Sequence, residues 1–200
     1  MPLSQSTSRH EVHHRDIDMK VYRRDDGLFD VEAHLVDTKP FEFLRPSSPV
    51  PVPAGQALHD LWVRMTVDDT FRVRGIEAAS DVTPWGICKE AEFTLSVLVG
   101  ERLERGWSSK VKERLRGSIS CTHLMEVLIP LATTAMQGIR ALHPELHNLD
   151  RPEAELQIDT CYAFSSHRQV VKLLWPHRHV PPGRQAEIVP SVPNSYRRSS

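Results

Sequence analysis

The clearest structural pattern in the chain is the sequence IDMKVYRRDDGLFDVEAHLVDTK, which spans residues 17–39. An Asp-Gly pair, Asp26 and Gly27, follows the first alternating run and is a strong signal for a tight turn. After the turn the residues alternate between apolar and polar, as expected for a strand with one buried face. The apolar positions of this strand are Phe29, Val31, Ala33 and Leu35. The stretch therefore predicts a β-hairpin with one side packed on a core.

The remaining patterns extend this hairpin into a mixed fold. Leu58 to Val67 alternate in the same way and predict another strand, and residues 71–75 continue the meander. The second half of the chain has helical periodicity over residues 88–99, 107–115 and 121–142, with Ser120 placed to cap the last helix. Strands followed by helices predict an α+β fold in two layers, a small antiparallel meander packed against the helices of the C-terminal half.

The domain organisation follows from composition along the chain. We expect a flexible N-terminal segment over residues 1–16, a single α+β domain over residues 17–175 and a flexible C-terminal tail over residues 176–200. Five prolines between residues 40 and 55 indicate a connector or lid. Residues 154–175 are compatible with either a strand or a helix.

Composition excludes several classes of function. The 200 residues carry a formal net charge of −1, which gives no positive field to attract nucleic acid. No apolar run approaches the roughly 20 residues of a membrane span, and the first residues lack the apolar stretch of a signal peptide. Three well-separated cysteines predict reduced thiols and a cytoplasmic location. Because no Gly-rich phosphate loop is present, we expect no nucleotide, and the partner is an unidentified protein or small molecule.

The strongest concentration of reactive side chains is around Cys121. If a helix begins there, the free amide groups of its first turn favour a thiolate, which is both a nucleophile and a soft metal ligand. His123 lies two residues further on, and Glu126 can share a helix face with it. The alternative is that Cys121 is a small buried residue without chemistry, as most free cysteines are.

Other potential ligands lie earlier in the chain. Cys88 follows a bend at Pro84-Trp85-Gly86, and His59 and Asp60 lie in the second predicted strand. Neighbouring strand residues point to opposite faces, so only one of His59 and Asp60 can join a site inside the fold. Together with Cys121, these residues supply the ligand types of a zinc or iron site, although no CxxC or HExxH spacing is present.

Several segments resemble the signature of a bacterial domain family of unknown function. The matching segments are YRRDDGLFDVEAHLVDTK (residues 22–39), HDLWVR (59–64), LVG (98–100), GW (106–107) and CTHL (121–124). The resemblance covers residues 10–175, with Ser120 in place of the Gly that usually precedes the cysteine. It implies membership of a family without implying an activity.

The order of elements also resembles the U-type iron–sulfur cluster scaffold proteins. In this resemblance Asp60 matches the aspartate of the scaffold family, Cys88 matches its second cysteine and Cys121 matches its third. The first cysteine is missing, since Leu58 occupies its place and His59 is the nearest substitute. The resemblance therefore implies a zinc or iron site held by His59, Asp60, Cys88 and Cys121, with His123 as the substitute if His59 and Asp60 cannot both face inward. Loss of the first cysteine argues against a cluster.

Three functions remain open from the sequence. The first is a metal-binding or iron–sulfur-scaffold-like accessory domain. The second is a Cys-dependent enzyme, with Cys121 as the nucleophile and His123 as its base. The third is a partner-binding module without catalysis.

Overall fold

A computed structural model of the chain describes residues 4–143, 155 and 157–181. They form two compact units, which divide after His143. The first unit contains β1 (His14–Arg23), β2 (Phe29–Thr38), β3 (Phe43–Arg45), β4 (Ser48–Val52), β5 (Ala57–Val67), β6 (Val73–Val82), a 3₁₀ segment (Gly86–Leu98), α1 (Trp107–Leu115), a 3₁₀ turn (Gly117–Ile119) and α2 (Thr122–Ala141).

Four strands form one antiparallel sheet in the order β1-β2-β5-β6, and β3 and β4 form a separate small hairpin. The turn between β1 and β2 uses the predicted Asp-Gly pair, with Gly27 at a φ of +85°. An antiparallel sheet followed by helices confirms the predicted α+β class.

The inner face of the sheet carries the core. Alternate residues of β2 and β5 are buried, as the period-two pattern requires. Helix α2 packs on this face, and its buried stripe comprises Leu124, Val127, Leu128, Leu131, Ala132, Ala135 and Ile139. Helix α1 is tied to α2 because Trp107 Nε1 donates a hydrogen bond to the Leu128 carbonyl at 2.9 Å.

Three local features were not expected from the sequence. The proline-rich stretch 40–55, expected as a connector or lid, includes the β3–β4 hairpin. Residues 86–98 are helical but follow 3₁₀ geometry. Helix α2 has Cys121 rather than Ser120 at its N-cap, since the Ser120 hydroxyl instead bonds the hydroxyl of Thr94 at 2.6 Å.

The second unit has its own small apolar cluster. Val171 and Trp175 are buried, with Ile158, Phe164 and Leu174 packed against them. The stretch 154–175, ambiguous from sequence, includes α3 (Gln169–Leu174), and a 3₁₀ turn follows at Pro176–Arg178. Glu155 accepts hydrogen bonds from Arg178 at 2.5 Å and from His177 at 2.8 Å.

The expected boundaries at residues 16 and 175 stay predictions, and residues 1–3 and 182–200 of the expected flexible ends lie outside the described residues. Within the described part of the chain, no helix is long and apolar enough to cross a membrane.

Candidate metal site

The candidate site lies where β2 ends, β5 begins and α2 begins. The register of the sheet places Arg15 of β1 opposite Asp37 of β2, and Asp37 opposite His59 of β5. These three residues therefore form a row across three neighbouring strands. His123, in the first turn of α2, brings a second imidazole beside this row.

Asp37 is the centre of the row and is fully buried. Its Oδ1 accepts hydrogen bonds from Arg15 Nε at 2.7 Å and from His13 Nε2 at 3.1 Å. Its Oδ2 accepts from Arg15 Nη2 at 2.8 Å and from His59 Nδ1 at 2.9 Å. Burial alone raises the pKa of this carboxyl. The Arg15 guanidinium and His59 lower the pKa by more than burial raises it, to about 2. The group is therefore a carboxylate at neutral pH.

His59 is held as a neutral imidazole. Burial lowers the pKa of His59, Asp37 opposes this effect, and the nearby Arg15 guanidinium adds to it. Since Asp37 is ionised, Nδ1 of His59 carries the proton that it donates to Asp37, and Nε2 keeps its lone pair. Among the described residues, Nε2 has no hydrogen-bond partner. A neutral imidazole is the form that binds metal ions.

His123 connects this pair to the thiol of Cys121. The rings of His59 and His123 lie 4.1 Å apart between centroids, and His123 Nδ1 lies 3.8 Å from Cys121 Sγ. Burial raises the pKa of the Cys121 thiol, but the hydrogen bond with His123 and the backbone N–H groups of Leu124 and His123 outweigh it, so the pKa is lowered. The start of α2 thus provides the environment expected from sequence.

The three side chains are close enough to share one ion. Asp37, His59 and His123 each offer a ligand atom, and these atoms all lie within 4.8 Å of one another. Metal–ligand bonds of about 2.1 Å in a tetrahedral site place the ligand atoms about 3.4 Å apart, so small side-chain adjustments suffice. Two imidazoles and one carboxylate are a donor set used for zinc and for ferrous iron.

The structure brings together only part of the ligand set expected from sequence. His59 and His123 are in the group, and Cys121 adjoins His123 without being one of the three. Asp60 is not in the group, because it faces the opposite side of β5 and accepts a hydrogen bond from His34 Nε2 at 2.7 Å. Cys88 lies in the 3₁₀ segment and belongs to no group of three potential metal ligands among the described residues.

Asp37 is the potential ligand that sequence reasoning missed. It continues the inward alternation of Phe29, Val31, Ala33 and Leu35 by one more position. A carboxylate at the next inward position of a buried strand face is rarely tolerated without a partner. The acidic residue at this inward position was therefore the feature of the sequence that could have identified Asp37.

Comparison with known proteins identifies one family. The model of a family described as "Protein of unknown function (DUF2889)" matches residues 13–137. This match agrees with the resemblance to a bacterial domain family of unknown function. No curated protein matches the chain, and no solved structure matches it.

Proposed function

The chain belongs to this family of unknown function, DUF2889, and we propose that it binds one divalent metal ion, of the zinc or ferrous iron class, between Asp37, His59 and His123. The observation that carries the proposal is the approach of their ligand atoms to within 4.8 Å inside the fold. Two of these residues, His59 and His123, belong to the ligand set expected from the sequence.

The charge and protonation of the three groups support cation binding. The buried Asp37 is ionised, and His59 is neutral, so one anionic and at least one neutral donor are present. The contact between His59 Nδ1 and Asp37 Oδ2, at 2.9 Å, is close to the separation of about 3.4 Å between two ligands of one tetrahedral ion. An ion can therefore take the place of the proton between these two atoms, and that proton then moves to Nε2 of His59, so the imidazole stays neutral.

The number of protein ligands bears on the role of the ion. Structural zinc sites are usually closed by four protein ligands, whereas sites with three keep a position for water or substrate. We therefore favour an exchangeable, reactive ion over a purely structural one. The proposal does not extend to an iron–sulfur cluster, because Cys88 and Cys121 do not join His59 in one ligand group.

A cytoplasmic location is part of the proposal. The three cysteines, Cys88, Cys121 and Cys161, are free, which is the usual state of thiols in that reducing compartment.

The test is a titration of metal-free, untagged protein with Zn²⁺ and, under anaerobic conditions, with Fe²⁺, followed by isothermal titration calorimetry. We expect one site per chain in the wild type and a loss of affinity of about tenfold or more in His59→Ala, because one of three ligands is removed. His34→Ala is the matched control, since His34 lies on the same sheet but bonds Asp60 on the other face. Equal affinities in the wild type and His59→Ala would contradict the proposed site.

The contact of Cys121 with His123 favours a second candidate, a cysteine-dependent enzyme. In that case Cys121 would act as the nucleophile and His123 as the base, as the sequence suggested. Absence of metal binding in the titration, together with alkylation of Cys121 faster than that of Cys88, would favour this alternative.

A further inference from the structure

Arg15 forms hydrogen bonds with Asp37, the carboxylate that is proposed to bind the metal ion. Its guanidinium binds Asp37 in a bidentate manner, through Nε at 2.7 Å and Nη2 at 2.8 Å. With the bonds from His13 and His59, Asp37 accepts four hydrogen bonds. A carboxylate has about four lone-pair positions, so all of them are taken before an ion binds.

An ion shared with His59 replaces the N–H donor of that residue, but Arg15 still faces the same carboxylate through two hydrogen bonds. Its guanidinium is charged at any working pH. A divalent cation bound to Asp37 would lie only a few ångströms from this positive charge, and the two would repel strongly in a buried site. Arg15 is therefore the donor that an incoming ion displaces most favourably.

A second carboxylate is already within reach of Arg15. Nη1, the guanidinium nitrogen that does not contact Asp37, lies 3.9 Å from Oε2 of Glu126 in the first turns of α2. Glu126 is more than half exposed, so its side chain is free to adjust. A rotation of the Arg15 side chain would replace its contact with Asp37 by a closer one with Glu126, without a change in the sheet.

We propose that Arg15 is a built-in competitor of the metal ion, which neutralises Asp37 in the metal-free protein and transfers to Glu126 when the ion binds. This inference rests on the metal site proposed above and describes how that site is regulated. Arg15 keeps the buried carboxylate compensated before the ion arrives, so the fold does not depend on the ion. The same competition weakens ion binding and keeps the ion exchangeable.

The proposal predicts opposite effects for two substitutions near the same ion. Arg15→Gln removes the competitor and is expected to tighten Zn²⁺ binding by about tenfold or more, as the loss of a charge-assisted bidentate bond implies. Glu126→Gln removes the alternative partner and is expected to weaken binding by up to about fivefold, as for a partly exposed ion pair. In the double variant the Glu126→Gln effect should disappear, because no arginine remains to be transferred.

The measurement is calorimetric titration of the full-length protein with Zn²⁺, with circular dichroism of each metal-free variant to establish that it is folded. Arg64→Gln is the matched control, because Arg64 forms a similar pair with Glu32, at 2.7 Å, on the outer face of the same sheet. If Arg15→Gln does not fold, Arg15→Lys replaces it, since lysine keeps the charge but cannot form the planar bidentate contact. We expect Arg15→Lys to tighten binding as well, but by less than Arg15→Gln, because the bidentate contact is lost while the charge remains.

The outcomes separate this inference from the proposed function. Zn²⁺ binding by the wild type with unchanged or weaker binding in Arg15→Gln or Arg15→Lys would overturn the inference alone and leave the metal site in place. An unchanged affinity in Glu126→Gln would also overturn the transfer step. No Zn²⁺ binding in either the wild type or the arginine variants would overturn both proposals.

Discussion

A single buried carboxylate organises the candidate site at the scale of residues. Asp37 receives donors from both neighbouring strands, Arg15 on β1 and His59 on β5. An ionised group without access to water requires such compensation, because its desolvation costs several kcal/mol. The free-energy cost of burying the Asp37 carboxylate therefore explains why basic side chains surround it.

A second buried carboxylate, Asp68, has a purely structural role at the turn between β5 and β6. It accepts hydrogen bonds from the backbone N–H groups of Thr70 and Arg72, both at 2.9 Å, and from Arg74 Nε at 2.7 Å. These bonds stabilise a turn in which Phe71 has a φ of +65°. Burial raises the pKa of Asp68, but the Thr70 hydroxyl, the Arg72 N–H and Arg74 lower it more, so the net shift is downward from 3.8.

We predict that Asp68 makes the protein less stable in acid. Because its pKa is lower in the folded state, its contribution is fully present above about pH 4 and is lost as the pH falls below that value. Asp68→Asn should therefore destabilise the protein at neutral pH and reduce the loss of unfolding free energy between about pH 5 and pH 2. Urea denaturation at several pH values measures this, with the exposed neighbour Asp69→Asn as the control. An equally steep acid dependence in Asp68→Asn would contradict the prediction.

Two of the three residues of the site were expected from the sequence and Asp37 was not, for a physical reason. His59 and His123 stand out by type, because histidine is the commonest metal-ligand side chain. Asp37 does not stand out, since an Asp near a strand end is also a common turn residue. Only the register of three strands, which no local pattern encodes, shows that Asp37 has Arg15 and His59 as neighbours.

At the scale of elements, helix α2 lies very close to strand β1 at one point. Gly138 of α2 faces Val21 of β1, and a Cβ added at Gly138 would lie 2.9 Å from Val21 Cγ2 and 3.0 Å from its Cβ. Real Cβ atoms essentially never come this close to a neighbour. The absence of a side chain at Gly138 therefore sets how near the helix lies to the edge strand.

We predict that Gly138→Ala destabilises the protein by roughly 1–3 kcal/mol, because the helix must shift away from β1. The gain in helix propensity on replacing Gly, about 1 kcal/mol, acts in the opposite direction and does not compensate. Thermal unfolding measures the net change. The control is Gln137→Ala at the exposed neighbouring position, and Val21→Ala combined with Gly138→Ala should restore part of the loss. A higher melting temperature in Gly138→Ala would show that α2 is not constrained at this point.

The elements themselves were predictable where one physical pattern dominates. Residues 107–115 were expected as a helix and form α1, and the hairpin of residues 17–39 forms β1 and β2. The β3–β4 hairpin was missed because Pro46, Pro49 and Pro51 argue against strands, yet an isolated two-stranded ribbon tolerates residues that donate no hydrogen bond. The 3₁₀ geometry of residues 86–98 has no sequence signature distinct from that of an α-helix.

At the scale of the whole molecule, the candidate site belongs entirely to the first unit. All contacts of the site involve residues between His13 and Glu126, and the family match spans residues 13–137. The first unit also has its own core, built on the inner face of the sheet and on α2. The division of the chain after His143 was not evident from sequence, because residues 154–175 had no decisive periodicity.

We predict that a fragment of residues 1–143 folds on its own and binds Zn²⁺ with the affinity of the full-length chain. The physical reason is that the first unit has a core of its own and contains Asp37, His59 and His123. Circular dichroism with thermal unfolding tests the folding, and calorimetric titration tests the binding, with full-length protein as the reference. A fragment that folds but binds more weakly than the intact chain would show that the second unit contributes to the site.

Arg15, Asp37 and His59 lie in a row across three strands. Their charges are therefore balanced only when the strands pair in the correct register. If β2 were displaced by a single residue, Asp37 would turn to the solvent-facing side and Val36 would take its place among the basic side chains. Such a misfolded sheet would have two imidazoles and a guanidinium without an anion between them. It would lose both the compensation of the Arg15 charge and the carboxylate of the proposed cation site. Correct strand pairing is therefore a precondition for the proposed ion site.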